Sequence, residues 1–399
     1  MKFDIKNLDK NIQRLPKKVI FCKKCTVSNQ RPRITFNTMG VCSACEWSEE
    51  KHNLVNWKER ERELKDLLDR FRSRNGKYDV IVPGSGGKDS FLVAHELKHR
   101  YKMNPITITF KPFEWTEVGL RNFLKFTKMG IPNILIRPNN KLHRALARTG
   151  MNFLGDPWQP FEYGQTNLPF KYSEILKIKL CFYGENGELE YGGSSALKNI
   201  SQKKPESFKS HYQKGVNIEK LINLALDYKL VDKSDYAKEH LEFYKLLPLD
   251  RIKKNKTELH WFSYFRKWIP QENFYHAFKY YEFELNDFGR TEQTYTKYAS
   301  LDDKLDGFHF YFSYLKFGLG RATRDAMQDI RNYHITREEG IRLVKRFDHE
   351  FPKRHFKWML RYLSITEKNF YQICDYYRSI SNVWKKNNGR WKLKYKIYK

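Results

Sequence analysis

Between Pro83 and Ser90 the chain reads Pro-Gly-Ser-Gly-Gly-Lys-Asp-Ser, a run suited to capturing a phosphate. Glycines at 84, 86 and 87 permit backbone angles closed to other residues. They also let successive N–H groups approach an anion with no Cβ in the way. A short apolar run, Tyr78–Pro83, precedes the loop, and a helical pattern opens near Asp89. The N-terminus of that helix adds partial positive charge. Ser85 and Ser90 supply hydroxyls and Lys88 a full charge. Asp89 is an anion beside phosphate, which makes sense if it holds Mg²⁺ or orients the loop. The spacing is shorter than the Gly-x-x-x-x-Gly-Lys of a Walker A loop. It is also not the dinucleotide fingerprint, because no acidic ribose clamp follows the second strand.

A second acidic loop, Phe182–Gly193, sets Glu185, Glu188 and Glu190 among four glycines. Carboxylates facing a triphosphate suit Mg²⁺, which takes one or two of them plus phosphate oxygens. An exposed acidic turn is the alternative.

Cys22, Cys25, Cys42 and Cys45 form two Cys-x-x-Cys turns. Each turn brings two thiolates to one metal, and the stretch between returns the second pair, as in a structural zinc ribbon. Lys23 and Lys24 offset the thiolate charge. Four sulfurs leave no open position, so the metal is expected to be structural. An iron–sulfur cluster or free thiols are the alternatives. Cys181 and Cys374 stand alone, and Cys181 falls inside a strand pattern, as a core residue does. Neither has the setting of a glutaminase nucleophile, and position 2 is not cysteine. The chain is therefore not expected to make ammonia from glutamine.

The elements that must position these residues alternate. Strands are expected at Tyr78–Pro83, Pro105–Phe110, Asn133–Arg137 and Ile178–Tyr183, with helices near Asp89–Tyr101, Glu117–Met129 and Leu142–Asn152. Short apolar strands between helices predict an α/β fold with a doubly wound parallel sheet. The expected organisation is a zinc-ribbon module over 1–50, a helical connector over 51–76, the nucleotide-binding α/β domain over 77–198, and a mainly helical region over 199–399. Leu64, Leu67, Leu68 and Phe71 give the connector one apolar face. Thr336-Arg-Glu-Glu339 reads as a helix-starting capping box. The last nineteen residues carry seven Lys or Arg and no acid, which reads as a solvated end or an anion contact.

At 399 residues and 40 % apolar content the chain is long enough for several domains with real cores, not a disordered segment. Its net charge of +29 attracts anions, whether nucleic acid, nucleotide, nucleotide-sugar or acidic membrane. Charge alone does not choose among them, and a Lys-rich proteome gives the same balance. No stretch approaches the roughly 20 apolar residues of a membrane span, so a cytoplasmic protein is expected.

Ser-Gly-Gly-x-Asp-Ser after a strand resembles the PP-loop of the ATP pyrophosphatase superfamily. In that fold the fourth strand lies beside the first, which would set the two loops face to face at the switch point. The chain also resembles, over nearly its whole length, the N-acetyl sugar amidotransferases of surface-polysaccharide and flagellar sugar biosynthesis (the WbpG/PseA type). The resemblance rests on Gly40–Cys45, Val82–Ser90, Gly155–Pro160, Gly184–Gly193, Lys316–Thr323, Ile330-Arg331 and Thr336–Glu339. It implies ATP-dependent conversion of a sugar N-acetyl group to an acetamidino group, with AMP and pyrophosphate released. The implied partners are a nucleotide-sugar, a glutaminase subunit and a barrel-type ammonia-channelling protein similar to that of histidine biosynthesis, and not nucleic acid.

By resemblance, Ser85, Gly86, Gly87, Lys88, Asp89 and Ser90 hold phosphates and Mg²⁺, with Glu185 and Glu188 completing that site. Catalytic roles fall to Lys88, Asp89 and Glu185. Thr109 and Phe110 touch adenine. Lys316, Arg321 and Arg324 meet the anionic nucleotide-sugar, or are surface charge. Asp156, Trp158 and Gln159 line the sugar pocket, or Trp158 is core. The rival is a PP-loop tRNA-modifying enzyme, a thiolase or lysidine-type ligase; the lone Cys181 and Cys374 weigh against a thiolase.

Overall fold

The computed structural model describes residues 5–206 and 213–398. Lys399, the last cation of the basic tail, lies outside them. Five short strands form one parallel sheet: β1 Val80–Pro83, β2 Pro105–Phe110, β3 Asn133–Ile136, β4 Leu180–Tyr183 and β5 Glu258–Trp261, in the order β3-β2-β1-β4-β5. The order reverses between β1 and β4, so the loops after these two strands open into the same crevice.

Strand alternation sorts the core onto the two faces of the sheet. Ile81, Ile106, Ile108 and Phe110 pack with the helices Asn140–Leu154 and Gln159–Leu176. Val80, Val82, Leu180 and Phe182 pack with the helices Trp57–Phe71, Lys88–His95 and Glu117–Lys128. The connector helix runs over Trp57–Phe71, with Leu64, Leu67 and Leu68 buried on its apolar face. Capping chemistry sets helix starts: Asn56, Thr116 and Asn139 each accept a backbone N–H in the first turn. The capping box expected at Thr336–Glu339 is formed and opens the helix Arg337–Phe347.

The sheet reaches further along the chain than the expected 77–198. Its fifth strand comes from Glu-Leu-His-Trp at 258–261, where polar residues break the apolar run that marks a buried strand. The helix after the phosphate loop runs Lys88–His95 and continues as a π-helical turn over Glu96–Arg100, closed by the Tyr101 N–H on the Glu96 carbonyl. The basic end is not simply solvated. It forms the hairpin β6 Trp384–Asn387 and β7 Arg390–Leu393 around Asn388-Gly389, both at positive φ. Val383 and Trp384 anchor it in the core, the indole N–H donating to the Leu315 carbonyl at 2.8 Å. Among the described residues, no helix is long and apolar enough to cross a membrane.

Lys316 is turned into the core. It lies on the helix Asp306–Phe317, 2 % exposed, and donates to Asp9 Oδ2 at 2.9 Å and to the Leu154 carbonyl at 2.8 Å. Asp9 is also fully buried, so the pair locks the N-terminal segment onto the C-terminal helices. Removing one partner strands the other charge in the core. Lys316→Ala is expected to lower unfolding free energy by about 3–5 kcal/mol, read as a shift of the urea midpoint; an unchanged midpoint would contradict the buried-pair assignment.

Candidate active site

The loop after β1 is braced from several sides. Gly86 sits at φ +90°, and a Cβ there would lie 2.7 Å from the Phe123 Cα. The Gly84 N–H donates to the Ile108 carbonyl at 3.0 Å. The Thr109 hydroxyl donates to the Gly84 carbonyl and accepts from Asn133 Nδ2 at 2.9 Å. Thr109 is buried and holds the loop from below, so the expected adenine contact at this residue is not what the structure places there. The Ser85 hydroxyl donates to Asp302, and the Ser90 hydroxyl to the Gly87 carbonyl at 3.1 Å. Lys88 pairs with Asp89, whose other oxygen accepts from Asn273 Nδ2 at 2.9 Å.

A cavity of about 520 Å³ runs from this loop along the switch point. Gly84, Ser85, Gly87, Asp89 and Ser90 line one end. Ile108, Phe110, Phe161 and Leu168 form an apolar wall. Phe110 fits beneath the helix Gln159–Leu176 because residue 164 is glycine; a Cβ there would stand 2.4 Å from its ring. Arg31, Arg33, Glu185, Glu188, Lys203 and Arg324 are among the charged residues that line it.

The facing carboxylates divide into different jobs. Glu185 accepts from the Tyr191 hydroxyl at 2.8 Å, and burial together with nearby Asp89 pushes its pKa up. Glu188 is held by Arg33 through Nε at 3.0 Å and Nη2 at 2.6 Å, and by the Ser194 N–H at 3.0 Å. It lines the cavity as half of an ion pair, not as an open metal ligand. Glu190 lies outside the cavity: its carboxylate is buried against Lys51 Nζ at 2.9 Å and Trp47 Nε1 at 3.0 Å.

A second cavity, about 240 Å³, shares Gly87, Asp89, Glu185, Tyr191, Asp302 and Arg324 with the first. Trp158, Arg321 and Arg324 line it, so these expected contacts are brought to the loop. The Arg324 guanidinium stacks 3.9 Å from the Tyr191 ring centre, and Arg321 pairs with Asp325 at 2.9 Å. Asp156 and Gln159 are not in either lining. Both are buried, and Lys214 donates to each of them, with His309 on Asp156 at 2.9 Å. Burial alone would raise the Asp156 pKa, but His309 and Lys214 outweigh it and hold the carboxylate ionised. They are committed to this buried cluster, because a buried carboxylate needs its cations close.

Sequence reasoning missed Asp302, Lys203, Asn273 and Arg33. Burial pushes the Asp302 pKa up to about 6, against the lowering effect of the Ser85 hydroxyl. Nearby Asp89 adds to this rise, and both carboxylates line the two cavities. Lys203 lies between the rings of Tyr183 and Trp261, 4.9 Å from each, and burial lowers its pKa to about 7. The doubled acid Asp302-Asp303 in a basic stretch was the one available signal; Lys203 sits in no motif.

The four cysteines of the N-terminal module converge, with Sγ–Sγ distances of 3.8 Å for Cys22–Cys45 and for Cys25–Cys42. That matches the edge of about 3.8 Å in a tetrahedron of thiolates 2.3 Å from one ion. All four are buried, and their sulfurs lie within 4.8 Å of one another. Cys181 and Cys374 are buried elsewhere. The module braces the acidic loop: Arg31 Nε donates to the Gly192 carbonyl at 2.8 Å, and the Ser43 hydroxyl to the Gly193 carbonyl at 3.1 Å.

Residues 292–398 match the family described as LPS biosynthesis protein WbpG-like, C-terminal domain. This stretch contributes Asp302, Arg321 and Arg324 to the site. Over 73 residues the chain is 32 % identical to uncharacterized protein MJ1599 of Methanocaldococcus jannaschii, covering 18 % of this chain and 26 % of that protein. The chain thus spans about a quarter of the length of the curated relative it matches. An NH3-dependent NAD synthetase from Campylobacter jejuni in complex with nitrate aligns with TM-score 0.28 at 16 % identity, over 50 % of this chain and 95 % of that one. The U34-tRNA thiolase NcsA from Methanococcus maripaludis, solved with its 4Fe-4S cluster, aligns with TM-score 0.23 at 14 % identity, over 86 % and 95 %.

Gly86→Ala tests the loop directly. Both its φ and the Phe123 backbone resist a Cβ, so the turn must move. Nucleotide affinity is expected to fall by about tenfold or more with the far-ultraviolet spectrum unchanged; retained affinity would show that the loop does not hold phosphate.

Proposed function

We propose that this chain, whose residues 292–398 match the WbpG-like C-terminal domain, is a PP-loop, ATP-dependent amidotransferase acting on the N-acetyl group of a nucleotide-sugar. The observation that carries this reading is the meeting of three elements in one crevice. The Ser85–Ser90 loop, the Glu185 loop and Arg324 of the WbpG-like domain share a lining.

In this scheme the backbone N–H groups of Gly86 and Gly87, with the Ser85 and Ser90 hydroxyls and Lys88, hold the β- and γ-phosphates of ATP. The apolar wall at Phe110 and Phe161 takes the adenine. Asp89, Glu185 and Asp302 would hold Mg²⁺, which neutralises charge on the departing pyrophosphate. The acetamido oxygen attacks the α-phosphorus, and the P–O bond to pyrophosphate breaks. An amide oxygen is a poor leaving group; carried on AMP it becomes a good one. Ammonia then adds to the imidate carbon and AMP departs, leaving an acetamidino group. Arg321 and Arg324 meet the anionic part of the sugar nucleotide, and Trp158 packs against the ring.

Cys181 and Cys374 are buried with pKa values raised by burial, which supports an outside source of ammonia. Ammonia would come from a separate glutaminase subunit through a barrel-type partner. The cysteine cluster would hold Zn²⁺, whose thiolate tetrahedron it fits; a cubane iron–sulfur cluster needs its thiolates spread on a wider one.

The decisive experiment incubates the protein with ATP, Mg²⁺, ammonium and a panel of N-acetylated nucleotide-sugars. AMP, pyrophosphate and a product in which NH replaces one oxygen are expected, and Asp89→Asn is expected to abolish them. Pyrophosphate release driven by tRNA and by no sugar would instead establish a tRNA-modifying enzyme.

For the metal, elemental analysis is expected to give one zinc per chain. Its removal by a chelator is expected to suppress pyrophosphate formation by loosening the Gly184–Gly193 loop. A coloured, iron-containing preparation would overturn the zinc assignment.

A further inference from the structure

Away from the cavity, the helix that begins at the phosphate loop ends in a cluster of imidazoles. His95 Nδ1 lies 3.0 Å from His276 Nε2 on the helix Pro270–Tyr281. The His99 ring centre lies 4.6 Å from that of His95, across the π-helical turn. Glu96 adds a carboxylate, and its ligand oxygen and the nitrogens of His95 and His276 all lie within 4.8 Å of one another. Two ligands of a tetrahedral Zn²⁺ with Zn–N bonds near 2.0–2.1 Å stand about 3.4 Å apart. The observed spacing needs only small side-chain adjustment to meet that.

We propose that His95, His276 and Glu96 form a second metal site, for a divalent cation of zinc's ligand preference. The ligand chemistry is imidazole and carboxylate, distinct from the thiolates of the N-terminal module, so the two sites differ in affinity and exchange. Burial lowers the pKa of His95 and of His276, the latter to about 4, with His99 and His95 respectively as the next cause. Neutral imidazole is the form that binds metal. Glu96 is buried and its Oε2 already pairs with Arg266 at 2.9 Å and Arg100 at 3.3 Å, so a metal would share this carboxylate with the two guanidinium groups. The site is reachable: His99 is exposed, and His95 and His276 are half-buried.

The placement gives the ion a role. Asp89 and His95 share one helix; Asn273 and His276 share the other. The Asp89–Asn273 hydrogen bond joins the pair beside the phosphate loop, and the metal would join it again farther along. A cation bound there clips the two helices together and stiffens the element that presents Lys88 and Asp89. This holds whatever reaction the cavity performs.

The test uses the full chain as purified, with its cysteine site filled, and adds ZnCl₂. Calorimetric titration is expected to show one further equivalent bound and a zinc-dependent rise in melting temperature. His95→Gln and His276→Gln are expected to lose both, while melting like the parent without added zinc. Crystals of the unaltered protein soaked in ZnCl₂ are expected to show an anomalous peak between His95 and His276, a measurement independent of how the variants fold. No added equivalent, uptake unchanged in His276→Gln, or no peak between these rings would overturn the site.

Discussion

A turn made of glycine N–H groups can grip a phosphate only while something keeps it from folding onto its own carbonyls. Here Gly86 is pinned at positive φ against the Phe123 backbone, the Gly84 carbonyl is occupied by Thr109, and Ser85 is tied to Asp302. Each brace comes from a different part of the chain: the helix Glu117–Lys128, β2, and the stretch 292–398 that matches the WbpG-like C-terminal domain. Backbone donors fixed in advance cost no reorganisation when an anion arrives, which is why pre-set dipoles matter more than total charge.

Total charge is in fact a poor guide to this site. The chain carries +29, yet Asp89, Glu185, Asp302, Asp325 and Asp329 line the second cavity. Several cations that could meet a ligand are instead committed inside the fold: Lys51 on Glu190, Lys316 on Asp9, Lys214 on Asp156. A buried ion pair adds little net stability, but stranding one member costs about 3–5 kcal/mol. These pairs therefore penalise any arrangement in which the N-terminal module, the sheet and the C-terminal helices are displaced from one another.

Local chemistry was legible in the sequence, and long-range chemistry was not. The glycine run marked the phosphate loop because it lays bare backbone N–H groups between a strand and a helix start, where an anion binds. The paired Cys-x-x-Cys turns marked the cluster because two such turns can close a tetrahedron of thiolates on one ion. Four strands were evident as apolar runs, whereas β5 was hidden because His260 and Glu258 interrupt it. The terminal hairpin carried a readable signal, Asn388-Gly389, set among lysines that suggest a solvated end. Lys316, Asp156 and Gln159 looked like ligands for a substrate because a polar side chain near glycines has two readings. Only the position of Asp9 and Lys214 separates them. Asp302 meets Ser85 across more than two hundred residues, and no local pattern encodes such a contact.

The N-terminal module shows why a metal-binding geometry would stand so close to the cavity without entering it. Its core is small: four cysteines, Val27, Val41, Ala44 and a few neighbours make up its buried apolar set. So little apolar surface holds a short segment weakly, and a four-ligand cross-link supplies rigidity that burial alone does not. The hydrogen bonds leaving the module are directed. Arg31, Ser43, Trp47 and Lys51 all end on residues 190–193, and Arg33 on Glu188. The loop they hold would otherwise be a glycine-rich excursion free to carry Glu185 away from Asp89. Rigidity made at the cysteines would thereby be delivered to the carboxylate that faces the phosphate loop, in part through Arg31 and Arg33, which themselves line the cavity.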